Sequence, residues 1–192
     1  MKNRSRYLAI TAAALISQMG HALAGPLCAL APPGHSPLSD QPPTPVAYNM
    51  MQSISSVLCP RFSCPDYLLI RNSTISNAMA LVNMTGYSIR YNPRFMNGII
   101  QSFGRYAAAG IFAHEIGHII DFWKNPNPGV PQWQREATAD EYAGCAFALA
   151  GHRRADLVGL AKSLHSMGPS PGYPTPDERV WLVQQGYLKC SE

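Results

Sequence analysis

The chain has 192 residues, of which 46% are hydrophobic and 14% are charged, and its formal net charge is +4. This length suits one domain with a sizeable core, and the low charged fraction excludes a charge-driven disordered protein. No apolar run approaches the ~20 residues of a membrane-spanning helix, and no period of about 20–50 residues repeats, so the pattern argues against a polytopic membrane protein and a solenoid.

The first 24 residues have the pattern of a secretory signal peptide. Three basic residues precede an apolar stretch over residues 7–16, and the small-residue motif Ala22-Leu23-Ala24 follows. This order predicts cleavage after Ala24 and a secreted or periplasmic protein, with an uncleaved membrane anchor as the alternative. Without residues 1–24 the chain has 12 basic and 11 acidic residues, a net charge of +1. We therefore expect no nucleic-acid partner and no stable membrane span after signal removal.

Residues 25–45 contain seven prolines and almost no apolar periodicity. This composition predicts an extended or disordered linker. The folded domain is then expected to cover residues 46–192.

The domain is predicted to have an α+β fold, with a small antiparallel sheet packed beside four or more helices. Apolar periodicity and turn residues predict helices over residues 46–58, 94–103, 105–123, 132–150, 155–166 and 176–186. Strands are predicted over residues 67–70, 78–82 and 87–91, and the last two flank a turn typical of a hairpin. Pro60 is expected to end the first helix.

Five cysteines lie after the predicted cleavage site, and in an oxidising compartment an even number of them would pair. Cys59 and Cys64 could close a small loop around Pro60. Cys28 and Cys190 lie near the two ends of the mature chain and could join them. Cys145 is expected to stay unpaired, as a small buried residue of a helix.

The sequence His114-Glu115-Ile116-Gly117-His118 lies in the middle of the predicted helix over residues 105–123. Because four helical residues advance by about 400°, both imidazoles lie on one face, one turn apart and within reach of one metal ion. Glu115 lies about 100° around the helix, where it can address a water molecule on that ion, as in zinc proteases. The helix is apolar on its other sides and should be buried. Two surface histidines on an amphipathic helix are the alternative.

A third zinc ligand is expected from the next predicted helix. Glu136 follows His118 by 18 residues and begins the segment Glu136-Ala137-Thr138-Ala139-Asp140. Glu136 and Asp140 share one helical face, on which small alanines allow a close approach to the first helix. We predict one Zn²⁺ held by His114, His118 and Glu136, with Asp140 accepting the outer N–H of a ligand histidine. A solvated helix face is the alternative for the Glu136 and Asp140 pair.

We expect these groups to act together in peptide hydrolysis. Zinc acidifies a bound water molecule to a pKa of about 7 and polarises a carbonyl group. Glu115 is the predicted catalytic residue, a general base that takes the water proton and passes it to the leaving amine.

Together the two motifs resemble those of the gluzincin metallopeptidases, which use two histidines and a distant glutamate as zinc ligands. The form Glu136-x-x-Ala139-Asp140 is similar to that of the HtpX and CAAX-protease family and its small soluble relatives. Asn77-Ala78-Met79-Ala80 resembles a segment that borders the substrate-binding strand of that family. The resemblance implies a gluzincin-like fold, and an exposed edge strand that binds peptide by β-augmentation. The residues of that strand would be Tyr87, Ser88, Ile89, Arg90 and Tyr91.

One segment departs from the pattern of the family. Relatives often carry a His-Pro motif followed by arginine near the C-terminus, whereas this chain has Tyr173-Pro174 followed by Arg179. The Tyr173 hydroxyl could donate a hydrogen bond to the oxyanion of the reaction, or its ring could pack within a loop. Arg179 is expected to form a structural ion pair.

Two classes of function fit these residues. The first is an exported zinc-dependent endopeptidase that acts on a peptide or protein substrate. The second is a peptide-binding or chaperone-like module that uses the same fold without cleaving its ligand. A signal peptide also permits an effector or toxin that acts in another cell, without favouring one.

Overall fold

A computed structural model describes residues 35–83 and 86–192 of the chain. The predicted signal peptide, residues 25–34 of the predicted linker, and Met84 and Thr85 of the predicted turn lie outside these ranges. In the described ranges, no helix has both the length and the apolar character that crossing a membrane requires.

The described residues form six α-helices and a four-stranded sheet, which confirms the predicted α+β class. The helices are α1 (Pro45–Phe62), α2 (Pro93–Phe103), α3 (Arg105–Lys124), α4 (Gln132–Leu149), α5 (Val158–Ser166) and α6 (Pro176–Cys190). The strands are β1 (Asp40–Gln41), β2 (Tyr67–Asn72), β3 (Ala78–Asn83) and β4 (Gly86–Tyr91). Two short 3₁₀ helices cover Pro37–Ser39 and Arg154–Leu157.

Helix α1 extends beyond its predicted end. Pro45 opens the helix, and the preceding Thr44 hydroxyl oxygen accepts a hydrogen bond from a backbone N–H of the first turn at 3.2 Å. The prediction that Pro60 ends the helix is wrong, because Pro60 lies in its last turn and the helix continues to Phe62. Ser63, in the left-handed conformation with φ 60°, ends it.

Helix α6 also runs further than predicted. Thr175 and Glu178 exchange hydrogen bonds in a capping box, and Pro176 occupies the first turn. Gly186 does not end the helix, which continues to Cys190. The glycine serves instead for close packing, since a Cβ at this position would lie 1.8 Å from the main-chain oxygen of Glu141 in α4.

The four strands form a mixed sheet in the order β1-β2-β4-β3. Strands β3 and β4 are an antiparallel hairpin, as predicted. Strand β2 pairs in parallel with β4, so the prediction of a purely antiparallel sheet is wrong. The connection over residues 73–77 leads from β2 to β3, which lie two strand spacings apart, or about 10 Å. Strand β4 occupies the position between them.

This order changes which strand lies at the edge. The predicted substrate strand, Tyr87 to Tyr91, belongs to β4 and pairs with β2 on one side and β3 on the other. Its backbone groups are therefore engaged within the sheet, and the edge-strand prediction is wrong. Among the described strands, β3 is the edge strand on this side. A hairpin pattern does not specify which of its two strands the rest of the sheet will join.

Two residues of the predicted linker belong to the sheet. Asp40 and Gln41 form β1, which pairs antiparallel with β2. The Asp40 carboxylate accepts hydrogen bonds from Asn72 Nδ2 at 2.6 Å and from Arg90 Nη2 at 2.8 Å. The hydrogen bonds from Arg90 lower the pKa of Asp40 below its usual value. The ordered domain therefore begins before Val46.

Helix α3 lies at the centre of the domain, as predicted from its apolar sides. Fifteen of its 20 residues are buried, so its polar side chains lie in the core rather than at the surface. Gly117 lets α4 pack closely, because a Cβ there would lie 2.9 Å from Ala139 Cα. On the other side of α4, a Cβ at Gly144 would lie 1.8 Å from Val183 O of α6.

Two disulfides join described residues, and one of them differs from prediction. The Cys59–Cys64 pair is confirmed and closes the end of α1. Cys145 pairs with Cys190, so the predictions of a free Cys145 and of a Cys28–Cys190 bridge are wrong. The physical reason is the extra turn of α6 beyond Gly186, which brings Cys190 against α4.

We expect Gly186→Ala to lower the free energy of unfolding by about 1–3 kcal/mol, because the added methyl group meets backbone atoms that cannot rotate away. Gly98→Ala is the matched control, since Gly98 lies in α2 with open space around it. That change should raise stability by up to about 1 kcal/mol through helix propensity. Urea denaturation measures both, and equal effects would contradict the proposed packing.

The two disulfides should differ in their contribution to stability. They span 45 and 5 residues of sequence. By the chain-entropy relation, serine replacement of Cys145 and Cys190 should cost about 4 kcal/mol, against about 2 kcal/mol for Cys59 and Cys64. Denaturation of the two double variants measures this difference, and a nonreduced peptide digest checks the pairing. A digest that links Cys190 to Cys28 would overturn it.

Candidate metal centre

The two histidines of the α3 motif point to one place. His114 and His118 are four residues apart, and their Nε2 atoms lie 3.0 Å from each other. Both side chains are buried, with relative exposures of 7% and 2%. The predicted juxtaposition of the two imidazoles is therefore present in the fold.

Helix α4 brings a carboxylate to the same place. Glu136 lies 18 residues beyond His118, and its Oε2 is 3.3 Å from His114 Nε2 while its Oε1 is 3.6 Å from His118 Nε2. The close contact between Gly117 and Ala139 sets this approach of the two helices. The predicted ligand set, His114, His118 and Glu136, is thus one buried cluster that could bind a metal ion.

A second buried ion pair holds the beginning of α4 against the end of α3. Arg135, which directly precedes Glu136, is fully buried and donates to Asp121 Oδ2 at 2.6 Å and to the main-chain oxygen of Asn127 at 2.5 Å. Its guanidinium also lies 4.2 Å from the ring centroid of Phe122. Asp121 is engaged in this pair, which fixes the helix connection on which the position of Glu136 depends.

The spacing of the three side chains suits a small divalent ion. Ligands about 2.0–2.2 Å from a tetrahedral ion are about 3.3–3.6 Å apart. The two Nε2 atoms are 3.0 Å apart, and the Glu136 carboxylate places one oxygen 3.3 Å from His114 and the other 3.6 Å from His118. Three buried carboxylates, Glu115, Glu136 and Asp140, and one guanidinium, Arg179, give a formal charge of −2 when the imidazoles are neutral. One divalent cation would neutralise that charge.

Asp140 contacts one of the two candidate ligand histidines, at the atom predicted. Its Oδ1 lies 2.8 Å from His114 Nδ1. When His114 donates this Nδ1 proton, its Nε2 presents a lone pair to the cluster. Asp140 is fully buried and is held in turn by Arg179, which donates to both of its oxygens at 2.8 and 2.9 Å. The expected ion pair of Arg179 is confirmed, and its partner is this carboxylate.

The electrostatics of the cluster favour positive charge. Burial by itself would lower the pKa of His114, but the Asp140 and Glu136 carboxylates raise it above its ordinary value. Burial would likewise raise the pKa of Glu136, but the two histidines hold it well below its usual range. A site that stabilises a proton on imidazole beside an ionised carboxylate also stabilises a metal cation.

Glu115 lies beside the cluster and not within it. Its carboxylate is buried, with a relative exposure of 6%, and accepts a hydrogen bond from the backbone of Ala80 in β3. Burial raises the pKa of Glu115, although the two histidines oppose this shift. The predicted general base is thus a separate group at the edge of the metal cluster, facing strand β3.

A cleft of about 390 Å³ is lined by the cluster and Glu115. Tyr173, on the loop between α5 and α6, lines this cleft together with Arg179. Strand β4 does not contribute to its lining, whereas Ala78 and Met79 of β3 do. The predicted substrate strand is therefore separated from the cleft by its hairpin partner β3, which lines it.

The cleft also has an apolar wall, which was not predicted from the sequence. This wall is formed by Phe95, Ile111, Leu164 and Met167, from α2, α3, α5 and the residue that follows α5. Only Ile111 carried a local signal, because it is three residues before His114 on the same helical face. The other three lie on elements whose packing against α3 cannot be read from local periodicity.

No family model matches the chain, and no curated protein and no solved structure shows significant similarity to it. The gluzincin resemblance therefore rests on the two motifs themselves. The geometry of the buried cluster carries the functional inference.

We expect the protein to bind one divalent metal ion per chain through this cluster. Replacing His118 or Glu136 with alanine should abolish stoichiometric binding, since three protein ligands are the minimum of a catalytic zinc site. His165→Ala is the control, because the His165 side chain is 65% exposed and outside the cluster. Elemental analysis after dialysis measures the metal content. Unchanged content in the Glu136 variant would contradict the assignment.

Proposed function

We propose that the protein is an exported zinc-dependent endopeptidase that hydrolyses peptide bonds. The observation that carries the proposal is the convergence of His114, His118 and Glu136 within 4.8 Å, with Glu115 beside them at the wall of an open cleft. A metal cluster alone would be compatible with a structural site. A buried carboxylate next to it, outside the ligand set, is what a hydrolytic site requires.

Zinc is the metal that this donor set fits best. Two imidazole nitrogens and one carboxylate oxygen are a ligand combination of catalytic zinc sites, which keep a fourth position open. Structural zinc sites are usually closed by four protein ligands, and the cluster holds three. When bound, zinc would supply Lewis acidity that acidifies water and polarises a carbonyl group.

Glu115 would carry the proton through the reaction. As general base its carboxylate accepts a proton from the attacking water, whose oxygen forms a bond to the carbonyl carbon. The same carboxyl group then donates that proton to the amine nitrogen as the carbon–nitrogen bond breaks.

The peptide substrate would add to the outer edge of β3, which pairs with no further strand of the described residues. This strand borders the cleft, and its Ala80 backbone already contacts Glu115. An extended peptide paired with β3 would run past the metal cluster, with main-chain hydrogen bonds providing affinity independent of sequence. The segment Asn77 to Ala80, which resembles the border of the family's substrate strand, lies at this edge. We therefore assign the substrate strand to β3 and not to β4.

Tyr173 is the proposed donor to the developing oxyanion. It lines the cleft and its side chain is part of the loop before α6. A tyrosine hydroxyl in such a position can donate to an oxygen that gains negative charge.

Export is consistent with the disulfides of the domain. Two bridges between described residues indicate an oxidising compartment. Together with the predicted signal peptide, they favour a periplasmic or extracellular site of action.

We expect Glu115→Gln to retain one zinc ion per chain and to lower peptide hydrolysis by about 10²–10⁴-fold, because the amide cannot accept the water proton. Glu141→Gln is the control, since Glu141 lies on the outer part of α4 and pairs with Lys189. Turnover of an unstructured protein substrate, followed by mass spectrometry of its fragments, measures the effect. Undiminished cleavage by a zinc-loaded Glu115→Gln variant would exclude the role.

The same assay separates the enzyme from a peptide-binding module. An endopeptidase loses cleavage when a chelator removes the metal, and regains it when zinc is restored. A module would bind peptide with and without metal and produce no fragments from any substrate tested. The latter result would reject the proposed hydrolysis while leaving the metal site intact.

A further inference from the structure

We propose that Arg179 is a positioning residue that sets the metal affinity of the site through Asp140, without contacting the ion. The inference rests on the metal centre of the proposed function. It extends that function to a helix that contributes no ligand, because Arg179 lies in the first turns of α6.

The contact between Arg179 and Asp140 fixes the plane of the carboxylate. Arg179 Nε donates to Oδ2 at 2.8 Å and Nη2 donates to Oδ1 at 2.9 Å. This is a two-point interaction, and a planar guanidinium imposes its own plane on the carboxylate that it binds. Asp140 Oδ1 is also the atom that faces His114 Nδ1 at 2.8 Å. The direction of the His114 ring therefore depends on the direction set by Arg179.

Arg179 also compensates charge beside the ligands. Its Nη2 lies 3.9 Å from Glu136 Oε2, which is too long for a hydrogen bond but close enough for a strong electrostatic interaction. Asp140 is fully buried, and Arg179 has a relative exposure of only 8%. Without the guanidinium, the site would hold three buried carboxylates and no fixed positive charge. Asp140 would then lose its fixed position, and it would orient His114 less well.

Contacts with α4 hold α6, and with it Arg179, in place. Further along, Gly186 packs against α4, and Cys190 is bonded to Cys145 of the same helix. Helix α6 is thus fixed at several points to α4, the helix that carries Glu136 and Asp140. This packing holds the Arg179 guanidinium against Asp140.

The test is the zinc affinity of Arg179 variants, measured by competition with a chromogenic chelator. Loss of an outer partner of a metal ligand typically weakens binding by about 10–100-fold, and we expect this range for Arg179→Leu. The zinc affinity of Arg179→Lys should lie between those of Arg179→Leu and the native protein. A single ammonium keeps the charge but cannot bind both carboxylate oxygens in one plane. In cobalt-substituted protein, the visible absorption of the ion should change in Arg179→Leu, since a misdirected His114 alters the ligand field.

Thr175→Ala is the matched control for a merely structural role. It removes the N-terminal cap of α6 and should lower the melting temperature by a few degrees. Arg179 itself is unchanged in this variant. Its zinc affinity and cobalt spectrum should equal those of the native protein. If Arg179→Leu does not fold, the comparison of Arg179→Lys with Thr175→Ala decides: weaker zinc binding by the lysine variant supports the proposal, and equal binding overturns it.

A double-mutant cycle tests the route through Asp140. Asp140→Ala should weaken zinc binding, and adding Arg179→Leu to it should weaken binding little further, because the second residue acts through the first. Full additivity of the two losses would overturn the positioning role. If the native protein binds no zinc, the proposed function fails. If it binds zinc and every Arg179 variant binds equally well, only this inference fails.

Discussion

The structure depends on burying ionisable groups in the core without leaving their charges unbalanced. Buried carboxylates are costly unless hydrogen bonds or opposite charges compensate them. Arg135 balances Asp121, and Arg179 balances Asp140. Glu115 and Glu136 lie beside two imidazoles, and the described core has no further lysine or arginine to balance their charges. A bound divalent ion is the simplest group that would balance this charge. The same ion would therefore stabilise the core and complete the candidate site.

Close helix packing brings these groups within range of one another. Gly117 allows α4 to approach α3 at the level of the two histidines, and Gly144 and Gly186 allow α6 to approach α4. Three helices are thereby stacked in contact, and each contributes a different part: imidazoles from α3, carboxylates from α4 and a guanidinium from α6. The disulfide between Cys145 and Cys190 joins the second contact covalently.

The residues of the candidate ligand cluster were predictable because their positions follow from spacing within short segments of the sequence. The helical period alone places His114 and His118 on one face, and the same period relates Glu136 to Asp140. Small side chains between them indicated that the two helices pack closely, which the contact at Gly117 confirms. The apolar wall of the cleft was not predictable, because its residues come from α2 and the region of α5, and only the packing of these elements onto α3 assembles it.

The sequence by itself therefore determined the six helices and strands β2, β3 and β4 apart from some of their ends, the α+β class, and the residues of the candidate metal cluster. All of these follow from periodicity and spacing within short segments. The tertiary structure decided that β3 and not β4 forms the edge, that Cys145 pairs with Cys190, and that Arg179 binds Asp140. These features depend on which distant segments come into contact, and such contacts are set by the free energy of packing the whole core, which no local pattern contains.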